Sequence, residues 1–329
     1  MNRRDFLKTA AGVAAGAILT QSLPGKMARA FAREGRPAPE AAPAVYMTRD
    51  ISPDGLAAAY RALGRPASGR VAVKISTGEP GGHHYLAPGL IGDLVHSVNG
   101  TFVECNTAYG GRRASTESHR RAAEEHGFTA IAPVDIQDSD GETRLPVRGG
   151  THLKENIVGS HFGDYDFILT LSHFKGHAMA GFGGAIKNIS IGFASSGGKA
   201  LIHTAGKSST NAFLPGTRQD DFLESMAEAA GSVVDRVGGN IVYVNVMNNL
   251  SIDCDCASNP AKPEMRDIGI LASLDPVALD KACVDLVYAA DPAESASLRR
   301  RMESKNGVHT LAHAEKLGLG SLHYSLVEM

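Results

Sequence analysis

Several patterns that would assign this chain to a common functional class are missing from its sequence. It has no Gly-x-Gly-x-x-Gly run of the dinucleotide-binding type, and no Cys-x-x-Cys-x-x-Cys run that could hold a ferredoxin-type iron–sulfur cluster. One glycine-rich stretch contains a lysine, but Ile186 stands where a phosphate-binding P-loop needs glycine directly before Lys187. We therefore expect neither of these phosphate-binding loops, and an iron–sulfur cluster is not an expected cofactor.

Charge and hydropathy argue against two further classes. The chain has 33 Lys and Arg against 35 Asp and Glu, without a basic stripe, so nucleic acid is not an expected partner. No run of eighteen uncharged apolar residues follows the N-terminus, so we expect no stable membrane span in the mature chain. With 329 residues, 43% of them hydrophobic, the chain is long and apolar enough for one large α/β domain or two small ones.

The N-terminus resembles an export signal of the twin-arginine type. The pair Arg3-Arg4 is followed by Phe-Leu-Lys and then by a mildly apolar run rich in Ala and Gly. Residues 28–30 (Ala-Arg-Ala) form a plausible cleavage site, with residues 30–32 as a rival. We predict export to the periplasm, with the twin-arginine machinery as a partner. The predicted division is a signal peptide at 1–30, a flexible linker at 31–44 and an α/β domain at 45–329.

Apolar strand patterns alternate with helical patterns along the rest of the chain. This alternation predicts an α/β fold with a mostly parallel, doubly wound sheet, and a division into two lobes is left open. The polar stretch 138–150 interrupts the pattern and predicts a hairpin or a lid. The predicted strands are 70–77, 101–105, 129–136, 166–172, 240–247 and 266–273, and the predicted helices are 88–98, 116–126, 219–237, 276–289, 293–304 and 308–317.

The stretch 173–203 concentrates the groups that bind metals or transfer protons. It contains His173, His177 and His203 together with three lysines and many glycines, and it follows the predicted strand 166–172. In open α/β sheets, ligands bind where the strands end. We therefore expect a functional site here, although a plain glycine loop and a satisfied core histidine are the alternatives.

Two other histidine pairs are weaker candidates. His83 and His84 lie in a glycine-rich loop after the first predicted strand, so they share a sheet edge with the central stretch if the sheet is parallel; a solvated loop pair is the alternative. His309 and His313 lie four residues apart and could bind one metal from a helix face. For them a solvated amphipathic helix is the favoured interpretation.

Cys254 and Cys256 belong to an Asp-Cys-Asp-Cys run after a Val-rich strand. Two cysteines one residue apart are not expected to form a disulfide with each other. They could bind a thiophilic metal, or pair with Cys105 or Cys283 in an oxidising compartment. A metal ligand or a reactive thiol is favoured over a structural bridge.

From about residue 71 to 319 the chain resembles the domain-of-unknown-function-362 (DUF362) family. The match rests on Lys-x-His and Gly-x-x-Gly-x-x-Lys-Asn at 175–188, Asp-Cys-Asp-Cys at 253–256, Asp-Ile-Gly at 267–269, Ser-Leu-Asp-Pro-Val-Ala-Leu-Asp at 273–280 and Gly-Leu-Gly at 318–320. Many members carry an additional ferredoxin-like segment, which this chain lacks. The resemblance implies a fold but no established activity.

The central stretch also resembles the nickel-pincer lactate racemase superfamily. His177 is followed ten residues later by Lys187 across the Gly-Phe-Gly-Gly run, and His203 lies sixteen residues further on. In that family the first histidine is a catalytic acid/base, the lysine attaches the pyridinium cofactor and the last histidine binds nickel. The resemblance implies these roles here, with His83 or His84 as the only candidates for the second catalytic histidine.

We therefore expect an exported protein that uses a metal or a nickel-pincer-like cofactor to act on a small hydroxy acid by proton or hydride transfer. A periplasmic protein that binds a small anion or a metal, and a redox accessory protein using Cys254 and Cys256, are the alternatives. Whether the chain is an isomerase or an oxidoreductase is left open. The expected catalytic residues are His177, His83 and His84, the cofactor-binding residues Lys187, Lys175, Gly183, Gly184 and Asn188, and the metal ligands His203, His173, Cys254 and Cys256.

Overall fold

Several predicted strands have apolar residues at successive positions, such as Ile-Val-Tyr-Val at 241–244, so both of their faces must be covered. The computed structural model, which describes residues 41–329, meets this requirement. Along one central strand, Val242 and Val244 pack into one hydrophobic core, whereas Ile241 and Tyr243 pack into another on the opposite face. Each core is closed by helices.

The described residues form the following elements, numbered in chain order. The strands are β1 Ala44–Thr48, β2 Val71–Lys74, β3 Gly100–Glu104, β4 Val134–Ile136, β5 Glu142–Pro146, β6 Glu155–Gly159, β7 Phe167–His173, β8 Lys175–His177, β9 Gly181–Gly183, β10 Ile241–Met247, β11 Gly269–Ser273 and β12 Ser325–Glu328. The helices are α1 Pro53–Ala62, α2 Pro88–Ser97, α3 Thr116–Glu125, α4 Ala185–Ser190, α5 Ser196–His203, α6 Gln219–Val237, α7 Pro276–Ala289, α8 Pro292–Ser304 and α9 His309–Lys316.

Eight strands form the main sheet in the order β12-β1-β11-β10-β7-β2-β3-β4. Strands β10, β7, β2, β3 and β4 are parallel, and β11 runs antiparallel to both of its neighbours. The predicted α/β fold with a mostly parallel sheet is therefore confirmed. From β2 the chain moves outward through β3 and β4, and then returns to the other side of β2 with β7. This reversal makes the gap between β2 and β7 a switch point, where ligands bind in doubly wound sheets.

Local signals predicted the helices better than the strands. Helix α6 spans the predicted residues 219–237, and Asp275 caps α7 by accepting hydrogen bonds from the amides of Val277 and Ala278, both 2.9 Å long. The polar stretch 138–150 contributes one strand of a hairpin, β5, and its partner β6 lies beyond the predicted stretch.

Two segments differ from the prediction. Within 129–136 only β4 is a strand, and 128–130 forms a short 3₁₀ helix. Pro133 stands just before β4 and has no N–H to continue a ladder. The sequence patterns above predict neither β1 nor α1, and β1 begins at Ala44, the last residue of the predicted linker.

The predicted signal peptide 1–30, and the linker up to residue 40, lie outside the described residues. No helix within residues 41–329 is long and apolar enough to cross a membrane.

Candidate functional site

A cleft of about 110 Å³ lies at the carboxyl edge of the main sheet, where β2, β3 and β7 end. We call it the edge cleft. The last residues of these three strands, Lys74, Glu104 and His173, all line it. The edge cleft therefore lies at the switch point. Four positively charged side chains line it: Lys74, Arg113, Lys187 and Lys199.

Helix α4 closes one side of the edge cleft and is held by a buried carboxylate on α7. Asp280 accepts hydrogen bonds from the amides of Ala185 (2.7 Å) and Ile186 (3.0 Å) and from the Asn245 side chain (2.7 Å). Burial raises the pKa of Asp280 to about 6, although these hydrogen bonds oppose the rise. Gly184 precedes the helix because a Cβ there would lie 2.3 Å from Asp280 Oδ1. This arrangement places Lys187 in the cleft.

Asn188, the next residue of α4, ties the ends of two strands together. Its side-chain amide donates to the carbonyls of Lys74 (3.2 Å) and Leu171 (3.1 Å) and lies 3.1 Å from the Ser172 hydroxyl. Asn188 and the glycines Gly183 and Gly184 all line the edge cleft, as the sequence predicts for a ligand site. The Asn188 amide, however, is already engaged by the protein.

Burial makes the lysines of the edge cleft easier to deprotonate than free lysine. It lowers the pKa of Lys74 to about 8 and, with the charge of Lys74 as the next cause, the pKa of Lys187 to about 8. The pKa of Lys199 is lowered for the same reason. Lys74 Nζ donates to the Ile75 carbonyl (2.5 Å), and Lys199 Nζ donates to the Ala194 carbonyl (2.5 Å). Within residues 41–329, no hydrogen bond or ion pair engages the Lys187 ammonium.

One carboxylate of the edge cleft, Glu104, is already paired. It accepts hydrogen bonds from His119 Nε2 (2.5 Å) and the Thr77 amide (2.9 Å), and Arg113 lies 3.6 Å away. Burial by itself would raise the pKa of Glu104, but the charges of His119 and Arg113 hold it well below its usual range. Glu104 is therefore ionised and neutralised within the protein.

The second carboxylate, Asp255, is paired in the same way. Lys175 Nζ donates to it at 2.8 Å and His173 Nδ1 at 3.0 Å, while His173 Nε2 donates to the Asn248 carbonyl at 2.7 Å. Burial opposes the shift, but these two partners lower the pKa of Asp255. Both ring nitrogens of His173 are therefore engaged by oxygen atoms of the protein in this arrangement. Lys175 also donates to the His84 carbonyl (2.6 Å), so its ammonium is engaged by the protein.

His177 and His203 are neutral and have opposite tautomers. His177 Nδ1 accepts from the amides of Met179 (3.2 Å) and Ala180 (2.9 Å), so its proton is on Nε2. His203 Nδ1 donates to the Lys199 carbonyl (2.6 Å), which leaves a lone pair on Nε2. Burial lowers the pKa of His177 well below 6.5 and the pKa of His203 to about 4. The charge of Lys187 contributes to both shifts.

The predicted triad is close enough for its charges to interact, but it is divided between two cavities. Lys187 lines the edge cleft, whereas His203 lines a second cavity of about 260 Å³ and stacks on Phe222 at a ring separation of 5.0 Å. His177 lines neither of these cavities. His83 is exposed and His84 partly buried in the 78–84 loop, and neither lines a cavity described here.

Cys254 and Cys256 form a disulfide with each other, which corrects the expectation that they would not. Their Cα atoms are 5.3 Å apart, within the range that a disulfide spans, because the chain turns at Asp255. Cys105 and Cys283 are free and buried, so neither is the partner that an oxidising compartment suggested. Cys256 lines the edge cleft, and a nitrogen of His177 lies within 4.8 Å of both sulfur atoms.

Comparison with known families agrees with the motifs. The model of the family described as "Domain of unknown function (DUF362)" matches residues 71–285, more than half of the chain. The protein belongs to the DUF362 family. Residues 1–20 match the twin-arginine translocation pathway signal sequence, which indicates export across the membrane.

Solved structures similar to this DUF362 protein are distant. The lactate racemase apoprotein from Thermoanaerobacterium thermosaccharolyticum aligns with a TM-score of 0.44 and 13% identity, over 74% of this chain and 56% of that one. A structural-genomics protein from Thermotoga maritima aligns with a TM-score of 0.40 and 15% identity, over 70% of this chain and 57% of that one. The chain thus spans little more than half of the length of each. No curated protein matches the sequence significantly.

Five charged residues of the edge cleft in this DUF362 protein were not predicted as site residues: Lys74, Glu104, Arg113, Lys199 and Asp255. Glu104 and Arg113 had no motif to mark them, and Lys74 was hidden inside a predicted strand. A charged residue at the end of an otherwise apolar strand was the one sequence signal that could have marked Lys74 and Glu104 as site residues, because charged side chains are seldom buried unless they are paired. Lys199 belongs to the central stretch but to neither of its recognised motifs.

Proposed function

We propose that this protein is a periplasmic enzyme that binds a small organic acid in the edge cleft and transfers a proton or a hydride at the neighbouring carbon. The observation that carries the proposal is the excess of buried positive charge. Both carboxylates of the cleft are paired with other partners, and within residues 41–329 no carboxylate lies within 4.0 Å of the ammonium groups of Lys74, Lys187 and Lys199. Buried charges are normally paired, so an anionic ligand would complete the site.

The histidines supply a donor and an acceptor close to Lys187. The neutral ring of His177 presents Nε2–H as a hydrogen-bond donor, whereas His203 presents a lone pair that can accept a proton or bind a metal. The fixed tautomers would let His177 hold an oxygen of the ligand while His203 acts as the base. This division of roles favours a hydroxy acid, which has an exchangeable hydrogen beside its carboxylate.

In a metallocofactor of the nickel-pincer type, Lys187 would be the anchoring amine and His203 a metal ligand, and binding would have to bring together side chains that now line two cavities. The amine of Lys187 has a pKa of about 8, so a useful fraction is neutral and can form a covalent bond. The Nε2 lone pair of His203 is oriented by the Nδ1–H bond to the protein backbone, as in many metal-bound histidines. When bound, such a group would accept and return a hydride. His173, Cys254 and Cys256 are engaged in other bonds and would not serve as ligands in this state.

Two measurements test the proposal. Intact mass and elemental analysis of protein exported from its native host report the cofactor; an unmodified Lys187 peptide without metal would defeat the metallocofactor part. Calorimetric titration with D- and L-lactate, and with the neutral isostere propane-1,2-diol, reports the charge requirement. We expect lactate alone to bind, and Lys187→Met to weaken binding at least about tenfold, the loss typical of a charged hydrogen bond. Lys154→Met, which removes an exposed lysine, is the control. Equal binding of the diol, or unchanged affinity in Lys187→Met, would reject the anion site.

An anion-binding protein without catalysis is the first alternative, because the same charges support it. His177→Gln separates the two: an enzyme should lose turnover of lactate while its affinity changes little. If no turnover is found with the cofactor-loaded wild-type protein, the binding function remains.

A redox accessory role is the second alternative, because the disulfide lies beside the edge cleft. Thiol titration of the native protein, before and after treatment with dithiothreitol, tests it. A pair that is reduced readily and then reoxidises would support the role. A pair that resists reduction until the protein unfolds would remove it.

A further inference from the structure

Helices α6 and α9 each present two potential metal ligands at positions i and i+4. Glu224 and Glu228 lie on α6, and His309 and His313 lie on α9. Residues four apart share one face of a helix, and these two faces pack against each other. His152, from the loop between β5 and β6, adds a third imidazole. We call these five residues the His/Glu cluster; none of them lines the edge cleft or the second cavity.

Glu224 is the centre of the His/Glu cluster. Its two oxygen atoms face different histidines: Oε2 lies 2.7 Å from His152 Nε2, and Oε1 lies 2.8 Å from His309 Nε2. The same Oε1 lies 3.8 Å from His313 Nδ1. Three imidazoles therefore converge on one carboxylate whose side chain is 24% exposed, so that ions can reach it from solvent.

His313 is the member of the His/Glu cluster that ordinary hydrogen bonding leaves unsatisfied. The expectation of a solvated helix face is wrong for this residue, because its side chain is only 5% exposed. Its Nε2 atom lies 3.4 Å from Glu228 Oε1 and makes no hydrogen bond with any group in residues 41–329. A buried imidazole nitrogen whose nearest acceptor, at 3.4 Å, does not complete a hydrogen bond is costly and needs a reason.

Glu228 is fixed in the position of a supporting carboxylate. It is fully buried and accepts hydrogen bonds from the amides of Thr151 (2.7 Å), His152 (3.1 Å) and Leu153 (2.8 Å). Metal-bound histidines commonly donate their second N–H to such a carboxylate. With the His313 Nε2 proton directed at Glu228, the Nδ1 lone pair would face Glu224.

Two of the donor spacings are close to those of a tetrahedral ion. Ligands about 2.0–2.1 Å from zinc lie roughly 3.3–3.4 Å apart in a tetrahedron. The distances from Glu224 Oε1 to His309 Nε2 (2.8 Å) and to His313 Nδ1 (3.8 Å) lie on either side of that value. The donor atoms of the cluster do not all lie within 4.8 Å of one another, so binding would have to draw the imidazoles together around Glu224.

We propose that the His/Glu cluster is a binding site for a divalent transition-metal ion of the Zn²⁺ class. Glu224, His309 and His313 would be its ligands, His152 would be a fourth, and Glu228 would orient His313. Two carboxylates and three imidazoles form a donor set with the charge and softness that such ions prefer. The ion would join α9 and the 151–153 loop to α6. The proposal is independent of the function assigned to the edge cleft.

The test is titration of the purified protein with Zn²⁺ after treatment with EDTA, with the disulfide oxidised. We expect one equivalent to bind, and Glu224→Gln and His309→Asn each to weaken binding about 10- to 100-fold, the range seen when metal-site residues are removed. Both side chains are partly exposed, so the variants should fold, which circular dichroism checks; His152→Asn is the reserve variant. His323→Asn, at an exposed position near the C-terminus, is the matched control.

Two further readouts locate the ion. Co²⁺ in place of Zn²⁺ should give visible d–d bands without a thiolate charge-transfer band, and the double variant Cys254→Ser/Cys256→Ser should bind as the wild type does. Absence of saturable Zn²⁺ binding, unchanged affinity in Glu224→Gln and His309→Asn, or loss of binding in the cysteine variant would each overturn the proposal.

Discussion

Replacing Lys74 by methionine should make the protein more stable at neutral pH while it impairs the edge cleft. Lys74 is 2% exposed, and its folded pKa of about 8 lies below the 10.5 of an exposed lysine. At 1.36 kcal/mol per pKa unit, keeping this charge buried at pH 7 costs about 3 kcal/mol. Methionine has a similar length and no charge. It also leaves the Ile75 carbonyl unpaired, which costs about 1–3 kcal/mol, so the net gain at pH 7 is about 1 kcal/mol.

The pH dependence is the sharper test of the same substitution. Because the folded state binds this proton less tightly than the unfolded state, the penalty is fully present below pH 8 and is relieved as the pH rises towards 10.5. Between pH 7 and 9.5 the wild type should therefore gain about 2 kcal/mol of unfolding free energy relative to Lys74→Met.

Urea unfolding followed by circular dichroism at the two pH values measures this difference. Lys154→Met, at an exposed position, controls for the loss of one positive charge and should show no such change. If the difference between wild type and Lys74→Met is the same at pH 7 and 9.5, then Lys74 is not a buried charge, and the argument for an anion site loses its main support. Affinity for lactate should fall in Lys74→Met even where stability rises, because a functional site can retain destabilising groups.

Three further predictions concern the supports of the two sites. Asp280→Ala should lower the unfolding free energy by about 3 kcal/mol or more, because it leaves three buried donors unpaired. Asp280→Asn should lower it by less. Urea unfolding measures both variants, and equal losses of unfolding free energy would contradict the capping role. The pKa of Glu228 is lowered to about 2 by its His313 and backbone partners against the effect of burial, so its contribution to stability is present above about pH 4.5 and is lost as the pH falls towards 2. The stability difference between wild type and Glu228→Gln should therefore shrink from about 3 kcal/mol at pH 7 to about 1 kcal/mol at pH 2.5. Cys254→Ser/Cys256→Ser should lower the unfolding free energy by less than about 2 kcal/mol, because the bridge closes a loop of only three residues. A larger loss of unfolding free energy, measured by urea unfolding, would show that the disulfide also stabilises structure outside the 254–256 turn.

The helices could be predicted from sequence because their signals are local. Helix α7 begins at an Asp-Pro pair whose carboxylate caps the first turn, and α6 follows a repeating apolar face. Strand β1 had no comparable signal. It is a five-residue run next to a Pro-rich segment, and it becomes a strand by pairing with β11 and β12, each more than 220 residues away.

The candidate site was predictable only in part, because some of its contacts are local in sequence and others join distant residues. The motif in residues 173–203 marked Lys187 and the histidines because they are close in sequence. Whether a marked residue faces a ligand depends on distant partners, and Asp255 engages both His173 and Lys175 across about 80 residues.

The linear order of residues by itself determined the export signal, the family, the α/β alternation and the stretch that contains the site, since each of these depends on neighbours within a few turns of chain. The tertiary structure alone decided the order of the strands, and the order of the strands decided which side chains meet. Lys74, Glu104 and Lys199 meet because β2 and β3 end, and α5 begins, at one edge of the sheet, where burial lowers the pKa values of the lysines. The side chains meet because strands distant in sequence pair with one another, and the pKa values change because the side chains are removed from water. No local sequence pattern encodes either effect.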